Sequence, residues 1–185
     1  AISTEFDRVS MHGLRRELLL KQATSIKLPI QKIYLPKIFN NNEYEAIMKK
    51  EMIYFKSKNV NHVAFGDIFL EDIRKYREKN LAKIGMKAIF PLWGKSSKTL
   101  ARQFLDLGFK AILICIDSTV LDGSFIGQLF NDDFLSSLPL NVDPCGENGE
   151  FHTFVFDGPI FSTPIQFEKG KITVQEDRFN FIDLK

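Results

Sequence analysis

Residues 142–161 read VDPCGENGEFHTFVFDGPIF and crowd Asp143, Cys145, Glu147, Asn148, Glu150 and His152 around Gly146 and Gly149. Carboxylates beside an imidazole are the side chains of general acid–base work, giving or taking a proton at a reacting group. A thiol near an imidazole could instead form a nucleophile and base pair, but no third group to orient the base is identifiable. The turn runs directly into a strand pattern. With period-2 geometry Glu150, His152, Phe154 and Phe156 share one face and Phe151, Thr153 and Val155 the other, so both faces are largely apolar and the strand is expected in the interior. Polar groups at the mouth of such a strand cost several kcal/mol if left without partners. They need either a network among Asp143, Glu147 and Asn148 or a bound polar ligand. Gly146 and Gly149 allow the positive φ angles of a compact turn, and a purely structural polar turn is an equal alternative.

A second group of candidates lies in AFGDIFLED, residues 64–72. Ligands of open parallel sheets sit at the carboxyl ends of strands; Gly66 stands at such an end and Asp67 leads into a helix. The plainer reading is a tight turn followed by an ordinary N-cap. Arg74 and Arg77 flank Tyr76 on that helix; their forks suit carboxylates and phosphates, although a charged outer face is usually only solvated. Trp93 and Gly94 follow a strand end in the same topological position as Gly66, offering an aromatic wall or simply core packing. His12, His62 and His152 lack metal-ligand spacing, so no transition-metal site is expected. The phosphate-binding pattern GxxxxGK[ST] is absent.

Periodicity places the helices and strands that hold these side chains. Helices are expected over about 12–24, with Leu14 and Leu18 on one face and Ser10 or Asp7 as cap; over 43–58, with Asn42 and Glu45 as a capping box; over 68–83; and over 97–107, closed by Gly108. Strands are expected at 31–36, 62–66, 87–93 and 111–117. Alternation of helix and apolar strand is the mark of a parallel sheet covered on both faces. After Asp117 come short helical turns and, from 150 onward, β-hairpins. The expected organisation is an α/β unit over 1–94 and an α+β unit over 95–185.

Composition sets the outer limits. The 185 residues are 44% hydrophobic and 26% charged, values of a folded globular chain long enough to bury about 70% of its unfolded surface. A net charge of +2 with basic and acidic residues interspersed gives no footprint for nucleic acid. Cys115 and Cys145 make no disulfide framework, which points to a reducing, cytoplasmic setting. No apolar run approaches the roughly 20 residues of a membrane span and no signal-peptide pattern is present, so a soluble protein is expected.

Several segments carry a resemblance: EFDRVSMHGLRRELL (5–19), FGDIFLEDIRKYREKNLAKIGMKAIFPLWG (65–94), LDLGFKAILICID (105–117) and VDPCGENGEFHTFVFDGPIF (142–161). Together they resemble the diphthine–ammonia ligase, or diphthamide synthase, family of N-type ATP-pyrophosphatases (PP-loop enzymes). The resemblance implies a parallel sheet of the adenine nucleotide alpha hydrolase (HUP, Rossmann-like) type, followed by a smaller α+β domain. It implies ATP and magnesium as cofactors and ammonia as co-substrate: ATP converts a carboxylate to an acyl-adenylate with release of pyrophosphate, and ammonia displaces AMP. A carboxylate is a poor electrophile until it carries a good leaving group. The implied protein substrate is translation elongation factor two; no nucleic acid or membrane is implied, and homodimerisation is left open.

By the same resemblance Ser3, Thr4, Gly66 and Asp67 would flank the nucleotide. Glu147, Asn148, Glu150 and His152 would act at the activated carboxylate and ammonia, and Asp143, Cys145, Gly146, Gly149 and Thr153 would shape the substrate side. Tyr76, Arg77 and Trp93 are candidates for the substrate, whose trimethylammonium group suits aromatic faces. The sequence departs from the family in lacking its Ser-Gly-Gly-Lys-Asp-Ser loop, so about 30 residues or more, one strand–loop–helix unit, are expected ahead of Ala1. Two alternatives stay open: a ligase of the same fold acting on another carboxylate, and a nucleotide-binding module without catalysis.

Overall fold

A computed structural model describes all of residues 1–185. Its organising element is β6 (Lys110–Asp117), the continuous apolar run KAILICID, in which every residue from Ala111 onward is buried. Such a run requires apolar cover on both faces and partners on both edges. Along one edge runs β8 (Phe151–Asp157), antiparallel. The other edge is shared by β7 (Leu129–Phe130) at one end and β10 (Phe179–Leu184) at the other, both antiparallel, and β9 (Lys169–Gln175) completes the five-stranded sheet beyond β10. This corrects the reading of 111–117 as a strand of a parallel sheet. An apolar run reports burial on two faces, not direction, and the hairpin strands at 151–184 supply antiparallel neighbours.

Both faces of the sheet are covered. On one, Leu113, Ile116 and Phe151 pack with Phe130, Phe134 of α5 (Asp132–Ser137) and Ala101 of α4 (Ser97–Asp106). On the other, Ile112, Ile114, Phe154, Ile182 and Leu184 pack with Leu14 and with Leu18 of α1 (Arg16–Ser25). The apolar face read from Leu14 and Leu18 is therefore the one that docks, although the helix begins later than expected: Arg15, in extended backbone, takes the N-cap position in place of Ser10 or Asp7. Hydrogen bonds tie the helix down further, from Gln22 Nε2 to the Val155 carbonyl (2.7 Å) and from Ser25 Oγ to that of Thr163 (2.6 Å). The expected division at residue 94 falls between β5 (Lys87–Ile89) and α4, yet α1 contributes to the core of the C-terminal sheet.

Residues 1–94 hold two small sheets rather than one continuous parallel sheet. In the first, β1 (Ile2–Ser3) pairs antiparallel with β2 (Arg8–Val9) and parallel with β3 (Tyr34–Leu35); in the second, β4 (His62–Ala64) pairs parallel with β5. The parallel pairing expected for this region is present in both, but β4 and β5 bury no residue completely, and α2 (Asn41–Ser57) buries none. The α2 stripe Tyr44, Met48 and Met52 instead lines a cavity of about 320 Å³ against Tyr76, Arg77 and Leu81 of α3 (Glu71–Ala82). The α2 capping box uses Asn40 and Glu43, two residues before the expected pair, with both reciprocal bonds formed (3.0 and 2.8 Å). The run of asparagines at 40–42 offers equivalent caps, and only tertiary context selects among them.

Candidate functional site

The turn before β8 is built around Glu150, which is 5% exposed. Its Oε1 accepts hydrogen bonds from Asp143 N (2.9 Å) and Asn148 Nδ2 (2.8 Å), and its Oε2 accepts one from Asn148 N (3.0 Å). Asp143 Oδ1 in turn accepts from Cys145 N (2.9 Å) and Glu147 N (3.2 Å). Gly146 and Gly149 adopt φ of +68° and +86°, the values expected of them, and a β-carbon on Gly146 would lie 2.7 Å from the Phe151 carbonyl oxygen. The carboxylates Asp143 and Glu150 thus fold the turn on itself. Of the two alternatives, the internal network is formed at Glu150.

Glu147 behaves differently. It is half-buried, and its Oε1 reaches out of the turn to accept from Ile68 N at 2.6 Å, joining the turn to the segment that carries Gly66 and Asp67. No hydrogen bond engages Oε2. The two candidate regions, 79 residues apart in sequence, therefore meet through a carboxylate with one oxygen held and one free. Gly66 is exposed, with open space where a side chain would project.

His152, on β8, is half-buried and stands opposite Cys115 of β6, beside an irregularity in the pairing. Its ring lies 4.4 Å, centroid to centroid, from that of His12, a residue with no role among the sequence-based expectations. His12 Nδ1–H donates to the Ser10 carbonyl at 3.0 Å, which leaves Nε2 as its acceptor. Nothing in the spacing of two histidines 140 residues apart announces this meeting; the only local hint is Gly13, whose φ of +68° turns the chain toward α1.

Burial first, then the neighbouring His12 ring, lowers the His152 pKa from 6.5 to about 4. The unfolded chain takes up a proton near pH 6.5 that the folded chain refuses until about pH 4, so this contribution to stability is complete above 6.5 and is lost as pH falls through 4. Urea denaturation at pH 7 and pH 4 should show the parent losing about 2–3 kcal/mol more than His152→Gln over that interval.

Cys145 is not set up as a nucleophile. Burial, then the carboxylates of Asp143 and Glu147, push its thiol up to about 11, and its Sγ donates to the Ser97 carbonyl at 3.3 Å. A thiol held protonated on a carbonyl does not attack.

The helix candidates pair with one another. Arg77 meets Asp67, its Nη2 donating to Oδ1 at 3.1 Å, while Nε stands 2.8 Å from Oδ2 but out of line for a hydrogen bond, so that second contact is ionic. The aromatic faces are also occupied: the Arg77 guanidinium lies 4.4 Å from the Phe65 ring centre, and that of Arg74 lies 4.6 Å from Trp93 and 5.3 Å from Phe90. The Trp93 ring thus carries the protein's own cation. Tyr76 lines the α2–α3 cavity with Arg77, away from the turn. Ser3 stands in the β1–β3 sheet and Thr4 follows it in the turn, where Thr4 N donates to the Leu35 carbonyl (3.0 Å). No hydrogen bond or ion pair joins them to Gly66 or Asp67. Thr153 lies opposite Leu113 of β6.

Fold and site together define a mixed α/β protein with a carboxylate-rich turn at the mouth of a buried antiparallel strand, latched to a glycine-bearing loop of the N-terminal region. Residues 96–185 match the family described as the diphthamide synthase C-terminal domain. It is similar over 177 residues, 87% of its length, to a diphthine–ammonia ligase of Schizosaccharomyces pombe at 29% identity, covering 29% of that protein. Diphthine–ammonia ligases of Rattus norvegicus and Homo sapiens are each 24% identical over 139 residues, 72% of this chain and 52% of theirs. The chain spans about half, or less, of the length of these curated relatives. No helix is long and apolar enough to cross a membrane.

Proposed function

We propose that this chain forms part of an ATP-dependent ligase that joins ammonia to a carboxylate, as the names of its relatives suggest, through an acyl-adenylate and with release of AMP and pyrophosphate. The observation that carries the reading is the Glu147–Ile68 bond, which sets a half-free carboxylate beside the open Gly66 loop. Glu147 Oε2 is the group to hold ammonium and accept its proton before the nitrogen attacks the adenylate carbonyl. Asp143 and Glu150 hold the turn that aims it. His152, neutral at pH 7, serves as a hydrogen-bonding wall rather than a cation.

Binding of ATP is assigned to a HUP-type unit of which residues 1–94 contribute the two parallel strand pairs; Gly66 gives a nucleotide room to approach the backbone. No group of three imidazole, thiol or carboxylate side chains converges to hold a metal. Magnesium arriving with ATP is held largely by phosphate oxygens and water, with one or two carboxylates at most, and no step is routed through that ion.

The acceptor has two readings. Diphthine is the one the relatives' names carry, and the family resemblance adds elongation factor two as its bearer. A different carboxylate is favoured by the aromatic rings of Phe65, Phe90 and Trp93, whose partners are Arg77 and Arg74, leaving no assembled cage for a trimethylammonium group. Pyrophosphate release by the complete enzyme with ATP and ammonia, screened against diphthine-bearing elongation factor and small carboxylates, tests both. Acceptor-dependent release, sustained over many turnovers only when ammonia is present, is expected with one acceptor class, and its absence with every acceptor overturns the ligase reading.

A further inference from the structure

Between the segment that follows β2 and the β9–β10 hairpin lies a second cavity, of about 390 Å³, whose charge is lopsided. Arg8, Arg15, Lys171 and Lys185 line it, against a single carboxylate, Asp183. The chain as a whole is nearly balanced, with 25 basic and 23 acidic residues, so four cations around one anion are a local feature. The volume lies at the lower end of the ~300–1,000 Å³ of small-molecule sites.

Asp183 explains only half of this arrangement. Its Oδ1 accepts from Arg8 Nη2 and Arg15 Nε, both at 2.8 Å, and its Oδ2 from Arg15 Nη2 at 2.7 Å. The Arg15 and Arg8 bonds hold its carboxyl well below the usual range, so it stays ionised and fixes both guanidiniums in place. Arg8 Nη1 also donates to the Gly13 carbonyl (2.8 Å). Each guanidinium has five N–H donors and spends only two, leaving a rigid, preoriented remainder at the cavity wall. Lys171 and Lys185 enter none of the chain's ion pairs. They line the same space from the hairpin side as exposed side chains. Thr173 and Gln175 add a hydroxyl and an amide on the same face of β9.

We propose that this cavity binds a compact, multiply charged phosphoryl anion of the phosphate or pyrophosphate class, held by the Arg8–Arg15 pair on one side and Lys171 and Lys185 on the other. A single carboxylate ligand would leave most of the positive charge unmatched, whereas phosphoryl oxygens present several acceptors to forked and point donors at once. The site shares no residue with the turn at 143–153, so it stands or falls independently of the ligase reading.

Calorimetric titration of the purified protein with pyrophosphate and with inorganic phosphate tests the proposal. Saturable binding that weakens with added salt is expected, tighter for pyrophosphate. Lys171→Glu/Lys185→Glu, which removes no packing contact, should weaken it by about tenfold or more. Glu147→Gln should leave it unchanged. The proposal is overturned if neither anion gives saturable heat, if the double lysine variant binds as tightly as the parent, or if Glu147→Gln is the variant that alters binding.

Discussion

Replacing Glu150 with alanine should destabilise the protein by about 3 kcal/mol, seen as a lower midpoint in urea denaturation at unchanged slope. The side chain is buried and accepts three hydrogen bonds, two from the backbone N–H groups of Asp143 and Asn148 and one from the Asn148 amide. Truncation leaves those donors with no protein partner; hydrogen bonds to a charged acceptor are worth about 1.5–3 kcal/mol each, and the three add to less than their sum because water reaches the exposed Asn148 and the turn relaxes as a unit. Glutamine is no rescue. Its carbonyl can face either the donors on Oε1 or the one on Oε2, and its NH₂ must then point at an N–H, so Glu150→Gln should lose about 2 kcal/mol. Near-parent stability for both variants would show that the turn does not depend on this network.

How far the sequence could be read turns on which physical quantity each residue pattern encodes. The alternation in EFHTFVF reports burial on both faces of β8, and Phe151 and Val155 do pack into one core while Phe154 and Phe156 pack into the other. Positive φ at Gly146 and Gly149 was equally legible, because a turn this short with six polar side chains leaves the backbone few other routes. Direction was not legible: AILICID satisfies the apolar requirement of a parallel and an antiparallel centre alike, and the deciding partners lie 35 to 70 residues later in the chain. Long-range meetings were invisible for the same reason. His12 against His152, Arg8 and Arg15 on Asp183, and Glu147 on the Ile68 amide depend on how α1 and the β4–α3 segment dock, which no local spacing encodes.

The aromatic residues show a subtler limit. Tyr76, Trp93 and the phenylalanines around them have the composition of a cation-binding cage, and three of the rings do hold cations: Arg74 over Trp93 and Phe90, Arg77 over Phe65. Composition identifies the interaction but not its partner, since a guanidinium carried on the neighbouring helix competes with any external ammonium at high effective concentration. The same logic separates the two glutamates of the turn. Both are acidic residues in a polar loop, but Glu150 spends both oxygens internally and Glu147 spends one.

That asymmetry yields the sharpest functional expectation. Glu147→Gln should lower the rate of ammonia-dependent amidation by about 100-fold or more in the complete enzyme, while changing unfolding free energy by less than about 1 kcal/mol. The amide oxygen can still accept from Ile68 N, so the link between turn and loop survives; what disappears is the free anionic oxygen that holds ammonium and takes its proton. The loss should sit in the step that consumes ammonia. Pyrophosphate formation from ATP and the acceptor persists if the adenylate forms, and raising ammonia or substituting hydroxylamine, a nucleophile largely unprotonated at neutral pH, restores part of the rate because the base is then less needed. A merely structural Glu147 predicts the reverse: lower stability, equal losses with ammonia and hydroxylamine, and weaker adenylate formation as the Ile68 loop drifts from the turn.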